Sequence, residues 1–192
     1  MRLPLPTLAA GPPQIIYKTV TYNIMKISAI EFVDRINQLV SNYNIADEQK
    51  HLYEFLIPKQ KQWNSILTGD FLIDLYNNYD LDGCIIGFDF LRKLEINPNY
   101  VFFASNDPFH IGLDINTNEI IMYDFEYEQV HLKIAKDIYE FIEISLLTFE
   151  YGLPGWIYEK EYSKEDRLTL LTKIEGIVNP EYLTFYEQSY GI

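Results

Sequence analysis

Residues 101–126, VFFASNDPFHIGLDINTNEIIMYDFE, constrain the fold more than any other stretch. Residues 101–105 are an apolar, aromatic run. Asn106-Asp107-Pro108 is turn chemistry, because Asn and Asp side chains bond their own backbone and Pro fixes φ. Residues 110–115 put His110 outward and Ile111, Leu113 and Ile115 inward, with Gly112 and Asp114 between them. Asn116-Thr117-Asn118 is a second turn, and residues 120–125 resume a β-branched and aromatic run. The pattern predicts three short strands forming a meander in the middle of a sheet.

The flanks read differently. Ser28 and Glu31 have capping-box spacing. After them Ala29, Phe32, Val33, Ile36, Leu39 and Val40 recur at helical intervals. Asp47 is a candidate cap for a second helix that Pro58 ends. Gly69-Asp70 opens a helix carrying Phe71, Leu72, Leu75 and Tyr76, which closes at Asn77-Asn78. Residues 83–88 read as a short strand and 89–95 as one helical turn. Residues 129–134 alternate, with Val130, Leu132 and Ile134 opposing Gln129, His131 and Lys133, and predict a further strand with one wet face. Asp137 caps a helix whose buried stripe is Ile138, Phe141, Ile142, Ser145, Leu146 and Phe149, and Gly152-Leu153-Pro154-Gly155 breaks it. A polar helix follows near 163–174, with Ser163 and Asp166 at its start, then a short one near 180–188.

Helices, then a meander, then helices predict an α+β fold with a single, mostly antiparallel sheet and flanking N- and C-terminal helices. Phe103, Leu113 and Ile121 are expected in its core, with Phe32, Phe141 and Phe149 packed on one sheet face. Residues 1–24 stand apart. Pro4, Pro6, Pro12 and Pro13 crowd their first half, so they read as a flexible or mis-assigned extension, with a possible edge strand at 15–22. Residues 25–192 then form one domain.

Charge narrows the function classes. The chain has 28 acids against 15 bases, a net −13. Residues 80–166 alone hold 18 acids and 6 bases, or −12. Such a surface repels phosphate backbones and argues against nucleic-acid binding. It attracts basic partners, or simply keeps the protein soluble. No apolar run approaches the ~20 residues of a membrane span. The single Cys84, in the apolar run Cys84-Ile85-Ile86, reads as a small core residue in a reducing, cytoplasmic setting.

An apolar strand ending in Phe103-Ala104, a polar turn, a strand carrying Leu113-Asp114 and an apolar strand ending in acids together resemble the SUKH superfamily. The upstream helix Leu67-Thr68-Gly69-Asp70-Phe71-Leu72-Ile73-Asp74-Leu75-Tyr76-Asn77-Asn78 resembles that family's as well. Thr68 stands in place of its usual Pro and Asn78 in place of its Gly, and Asn106-Asp107-Pro108 replaces a glycine-rich turn. The resemblance spans roughly 26–150. It implies a bacterial immunity protein that binds and blocks a cognate toxin, often a nuclease or deaminase, or a regulatory interaction scaffold.

Signatures for catalysis are weak. No phosphate loop, dinucleotide fingerprint or zinc spacing is present, and no cofactor is implied. A metal site would need His110 and His131 to meet across the sheet near Asp107 or Asp114. A nucleophile would need Cys84 beside His110. Asp114 reads as structural, accepting backbone hydrogen bonds at the turn with Thr117 or Asn118. Asp124, Glu126 and Glu128 form a period-two run that would share one face of a strand, opposite Phe125 and Tyr127. With Asp80, Asp82, Asp89 and Asp107, and with Tyr123 and Tyr127 as anchors, they are the candidate edge for binding a basic protein partner. Tyr79 lies beside the same acids. The expected protein is therefore a non-enzymatic binder, with a carboxylate-dependent hydrolase as the remaining alternative.

Overall fold

The computed structural model describes residues 26–45, 53–62, 67–82 and 87–191. The expected extension over 1–24, the Asp47 cap, His51 and the run Cys84-Ile85-Ile86 lie outside these residues.

The meander is present and longer than expected. Five antiparallel strands run in chain order: β3 (Asp89–Ile96), β4 (Tyr100–Asn106), β5 (Phe109–Asp114), β6 (Ile120–Asp124) and β7 (Gln129–Ala135). Before them come α1 (Ala29–Ser41), α2 (Phe71–Asn78) and a small sheet pairing β1 (Lys59–Gln60) with β2 (Tyr79–Asp80). After them come α3 (Ile138–Tyr158), α4 (Lys164–Glu175), a 3-10 turn at Pro180–Tyr182 and α5 (Leu183–Tyr190). The fold is α+β.

Short polar side chains set the connections of the sheet. Asn97 Oδ1 accepts from the backbone N–H of Asn99 at 2.9 Å and of Tyr100 at 2.7 Å. Asp114 Oδ1 accepts from Asn116 at 2.8 Å and Thr117 at 3.3 Å. Asp124 Oδ1 accepts from Glu126 at 2.9 Å and Tyr127 at 3.1 Å. The same device thus starts three of the four turns between strands, since such a side chain imitates a backbone turn. Thr117 is one of the two turn partners expected for Asp114, and Asn116 takes the place of Asn118. The fourth turn passes through a cis Asp107–Pro108 peptide.

Caps delimit the helices. Ser28 and Glu31 form a full capping box, as do Ser163 and Asp166. Asp70 and Asp137 cap α2 and α3. In α2 the buried Asp74 reaches back to accept from Thr68 N at 2.7 Å, Thr68 Oγ1 at 2.8 Å and Gly69 N at 2.9 Å. Those bonds, led by that from the Thr68 backbone, hold its carboxyl below the usual range.

The core lies between the sheet and the helices. Phe141 of α3 meets Phe103 at 5.6 Å and Phe88 at 5.1 Å between ring centroids. Phe32, Phe141 and Phe149 are all buried in this core. Glu140 is wholly buried under it. Its Oε1 accepts from Lys136 N at 3.1 Å, and Lys136 Nζ lies 3.1 Å from its Oε2. Burial pushes that carboxyl up against the opposing pull of Lys136.

Several expectations are corrected. Residues 89–95 are a strand, not a helical turn. Arg92, Lys93 and Glu95 are exposed on it, as charges on an edge strand commonly are, and among the described strands β3 pairs only with β4. Ile115 leaves the strand for the turn and is 46% exposed. Ile121 is buried on the face away from Phe103, because Ile120 takes the inward position beside it. Two register shifts in β7 skip His131 and Ile134, so Val130 pairs with Tyr123 and leaves the face of Leu132.

α3 also continues through Gly152–Gly155 to Tyr158. The reason is Tyr162. Its hydroxyl accepts from Gly155 N at 2.9 Å and donates to the Tyr151 carbonyl, so it stands inside the helical ladder next to Pro154. Leu153, fully buried, holds the same turn against the core.

Candidate functional site

The register of the sheet decides which candidate residues meet. Asp89 pairs with Ser105, Asn106 with Phe109, His110 with Tyr123, and Asp124 with Gln129. The start of β3, the β4–β5 turn and the β6–β7 turn therefore share one end of the sheet. Asp89, Asp107, Asp124, Glu126 and Glu128 gather there from three separate segments. Residues 87–91, 105–110 and 123–130 contain no Lys or Arg. Asp89, Asp107, Glu126 and Glu128 are exposed.

The run Asp124, Glu126, Glu128 does not lie on one strand face. β6 stops at Asp124 and residues 125–128 turn, with Glu128 at φ +50°. Asp124 is half-buried and one of its oxygens serves the turn, so Glu126 and Glu128 carry the freer charge. Asp80 and Asp82 sit elsewhere. Asp80 belongs to β2, faces Lys59 across the small sheet, and accepts from Asp82 N at 3.2 Å. Asp114 is at the opposite end of the large sheet, where it pairs with Tyr100.

Aromatic rings join this acidic end to the outer sheet face. Tyr123 packs on Tyr100 at 5.2 Å and Phe102 at 5.4 Å. Phe125 folds back from the turn onto Phe102 at 5.0 Å and His110 at 4.6 Å. Gly112 makes room for the stack, because a Cβ there would come 2.6 Å from the Phe102 ring. Phe102 is 2% exposed although it lies outside the helix-side core, whereas Phe125 is 46% and Tyr127 67% exposed. Tyr123 and Tyr127 thus flank the acids as expected. Phe125 was expected opposite the acids, and its place in this stack follows from the turn. Alternation alone, Tyr100-Phe102 on β4 and Tyr123-Phe125 running out of β6, carries the signal for the stripe.

The histidines do not meet. His110 belongs to the outer stack, and its buried Nδ1 has no partner among the described residues. His131 stacks on Phe109, a neighbour of the helix-side core, at 4.4 Å. No group of three His, Cys, Asp or Glu among the described residues is placed to hold a metal ion. Among these residues no helix is long and apolar enough to cross a membrane.

No protein-family model matches the chain, and neither a curated protein nor a solved structure shows significant similarity to it.

Proposed function

We propose that this chain is a cytoplasmic, non-enzymatic binding protein of the immunity type. It neutralises a basic toxin, of nuclease or deaminase class, by occluding the toxin's active or substrate-binding surface. One observation carries the reading: three separate segments bring five carboxylates and no Lys or Arg to one end of the sheet. Like charges so placed repel one another, and a cationic partner relieves the repulsion while long-range attraction speeds its approach. The exposed Phe125 and Tyr127 supply apolar contact at the same end, in the manner of interface anchors. The sequence resemblance to the SUKH superfamily supports the immunity class.

The test is a pull-down from the source cell with mass spectrometry, using the wild-type chain and an Asp107→Lys/Glu126→Lys variant. Both positions are exposed, so the variant should keep its Tm. Wild type should recover one stoichiometric basic protein, and the variant should lose most of it. With the partner in hand, association should slow about ten-fold or more in the variant, and its salt dependence should flatten. A partner captured equally by both chains would place the interface on another surface.

A further inference from the structure

A cleft of about 480 Å³ opens between α3, α5 and the sheet. That volume falls among small-molecule sites and is too small for a helix or strand of a partner. Its shape comes from the α3 stripe facing it. Phe141, Ile144, Tyr151 and Trp156 are large, while Ser145, Thr148 and Gly152 are small, and the Trp156 ring lies over Gly152. A core helix would carry bulky aliphatics at Ser145 and Thr148, and the cleft is the space they leave. Tyr190 of α5 forms part of the opposite wall.

The lining chemistry is aromatic and uncharged. Among the described residues no Lys, Arg, Asp, Glu or His lines the cleft. Burial pushes the Tyr190 hydroxyl up to about 12 and also raises that of Tyr151, so both stay neutral at physiological pH. Polar capacity is present without charge. Ser145 Oγ donates to the Phe141 carbonyl at 2.6 Å, which leaves its lone pairs as acceptors, whereas Thr148 Oγ1 donates to the Ser145 carbonyl at 3.0 Å and is also engaged with the Tyr190 hydroxyl.

We infer that this cleft is a binding site for a neutral, planar aromatic small molecule with a hydrogen-bond donor, inserted between the aromatic walls and over Ser145. Aromatic walls favour a flat ring system by offset and edge contacts. The uncharged lining gives an ionised group no partner. The inference does not depend on the toxin-binding reading, whose surface is the exposed end of the sheet.

The experiment compares two fluorescent probes on the full chain. N-phenyl-1-naphthylamine is neutral and has one N–H donor. 1-Anilinonaphthalene-8-sulfonate has the same skeleton with an added sulfonate. The neutral probe should saturate at one site per chain, and the sulfonate should bind at least about ten-fold more weakly. In a Trp63→Phe background, Trp156 emission should be quenched by energy transfer to the bound probe. Two variants fill the space from different helices. Ser189→Phe places a ring from an exposed position on α5, and Thr148→Leu adds bulk from α3. Each folded variant should weaken the neutral probe about ten-fold or more. Non-saturating binding, equal affinity for both probes, an unquenched Trp156, or wild-type affinity in either folded variant would overturn the site.

Discussion

The two faces of the five-stranded sheet bury their centres to the same depth by different means. On one face Phe103 is 0% exposed under α3 and its neighbours. On the other, Phe102 is 2% exposed with no helix among its aromatic contacts. Its cover comes from rings on the sheet itself, with Gly112 lowering the floor so that Phe102 lies flat. A helix presents a rigid lid fixed by many contacts along its length. A stack of rings is held by local contacts, and its outermost member, Phe125, stays half open to solvent. Dryness of a strand residue therefore says little about how firmly its cover is fixed.

Substitutions on the two faces should separate these modes of burial. Phe141→Ala, under the helical lid, should have the largest effect, about 3–5 kcal/mol in urea unfolding, because α3 cannot collapse into the hole. A loss below about 1 kcal/mol would mean that α3 does not hold this face. Phe102→Ala should cost less, about 3 kcal/mol, since Tyr123 and Phe125 are free to close over the gap. An equal or greater cost would show the ring stack to be as rigid as the lid. Gly112→Ala should cost about 1–3 kcal/mol, because the new methyl drives the Phe102 ring off its seat. Restoring that loss by Phe102→Leu in the same chain would identify the clash as its cause.

The smallest effect concerns the helix side alone. Burial raises the Glu140 carboxyl, so its contribution to stability is present below its unfolded value near 4.5 and is lost as pH rises through the folded one. Glu140→Gln should match wild type in acid and gain on it in Tm toward neutral pH. A gap that shrinks as pH rises would reverse the sign and make the Lys136 contact the dominant influence.

What was legible in the sequence was what a few neighbouring residues decide. Ser28 with Glu31, Asp70, Asp137 and Ser163 with Asp166 mark helix starts because each cap closes within three residues. Asp114 was readable as a turn residue for the same reason. The misreadings involve partners distant in the chain, shifts of register or the points where strands end. Arg92, Lys93 and Glu95 look helical until β4 supplies the ladder. Pro154 looks like a helix end until Tyr162 enters the ladder. Asp124, Glu126 and Glu128 look like one strand face because a period of two does not announce where the strand stops. The gathering of acids was only half visible. Their number shows in the composition, but the return of β3, β5 and β7 to one end depends on a register that no single segment encodes. The cleft was invisible for the same reason, since Asn106, Ser145 and Tyr190 come from three separate elements.

The Tyr162 hydroxyl inside α3 has a consequence for the order in which the chain matures. Gly155 N and the Tyr151 carbonyl are joined through the Tyr162 hydroxyl, an arrangement that exists only after residue 162 has arrived. During synthesis the last turns of α3 must wait for a residue that lies beyond their own end. The helix grows to Pro154 on local bonds and finishes when the following loop swings back. A fragment ending at Glu161 should thus show its fastest amide exchange at Gly155, and one ending after α4 should protect it. In this protein the loop that follows, by lending a side chain, completes the helix before it.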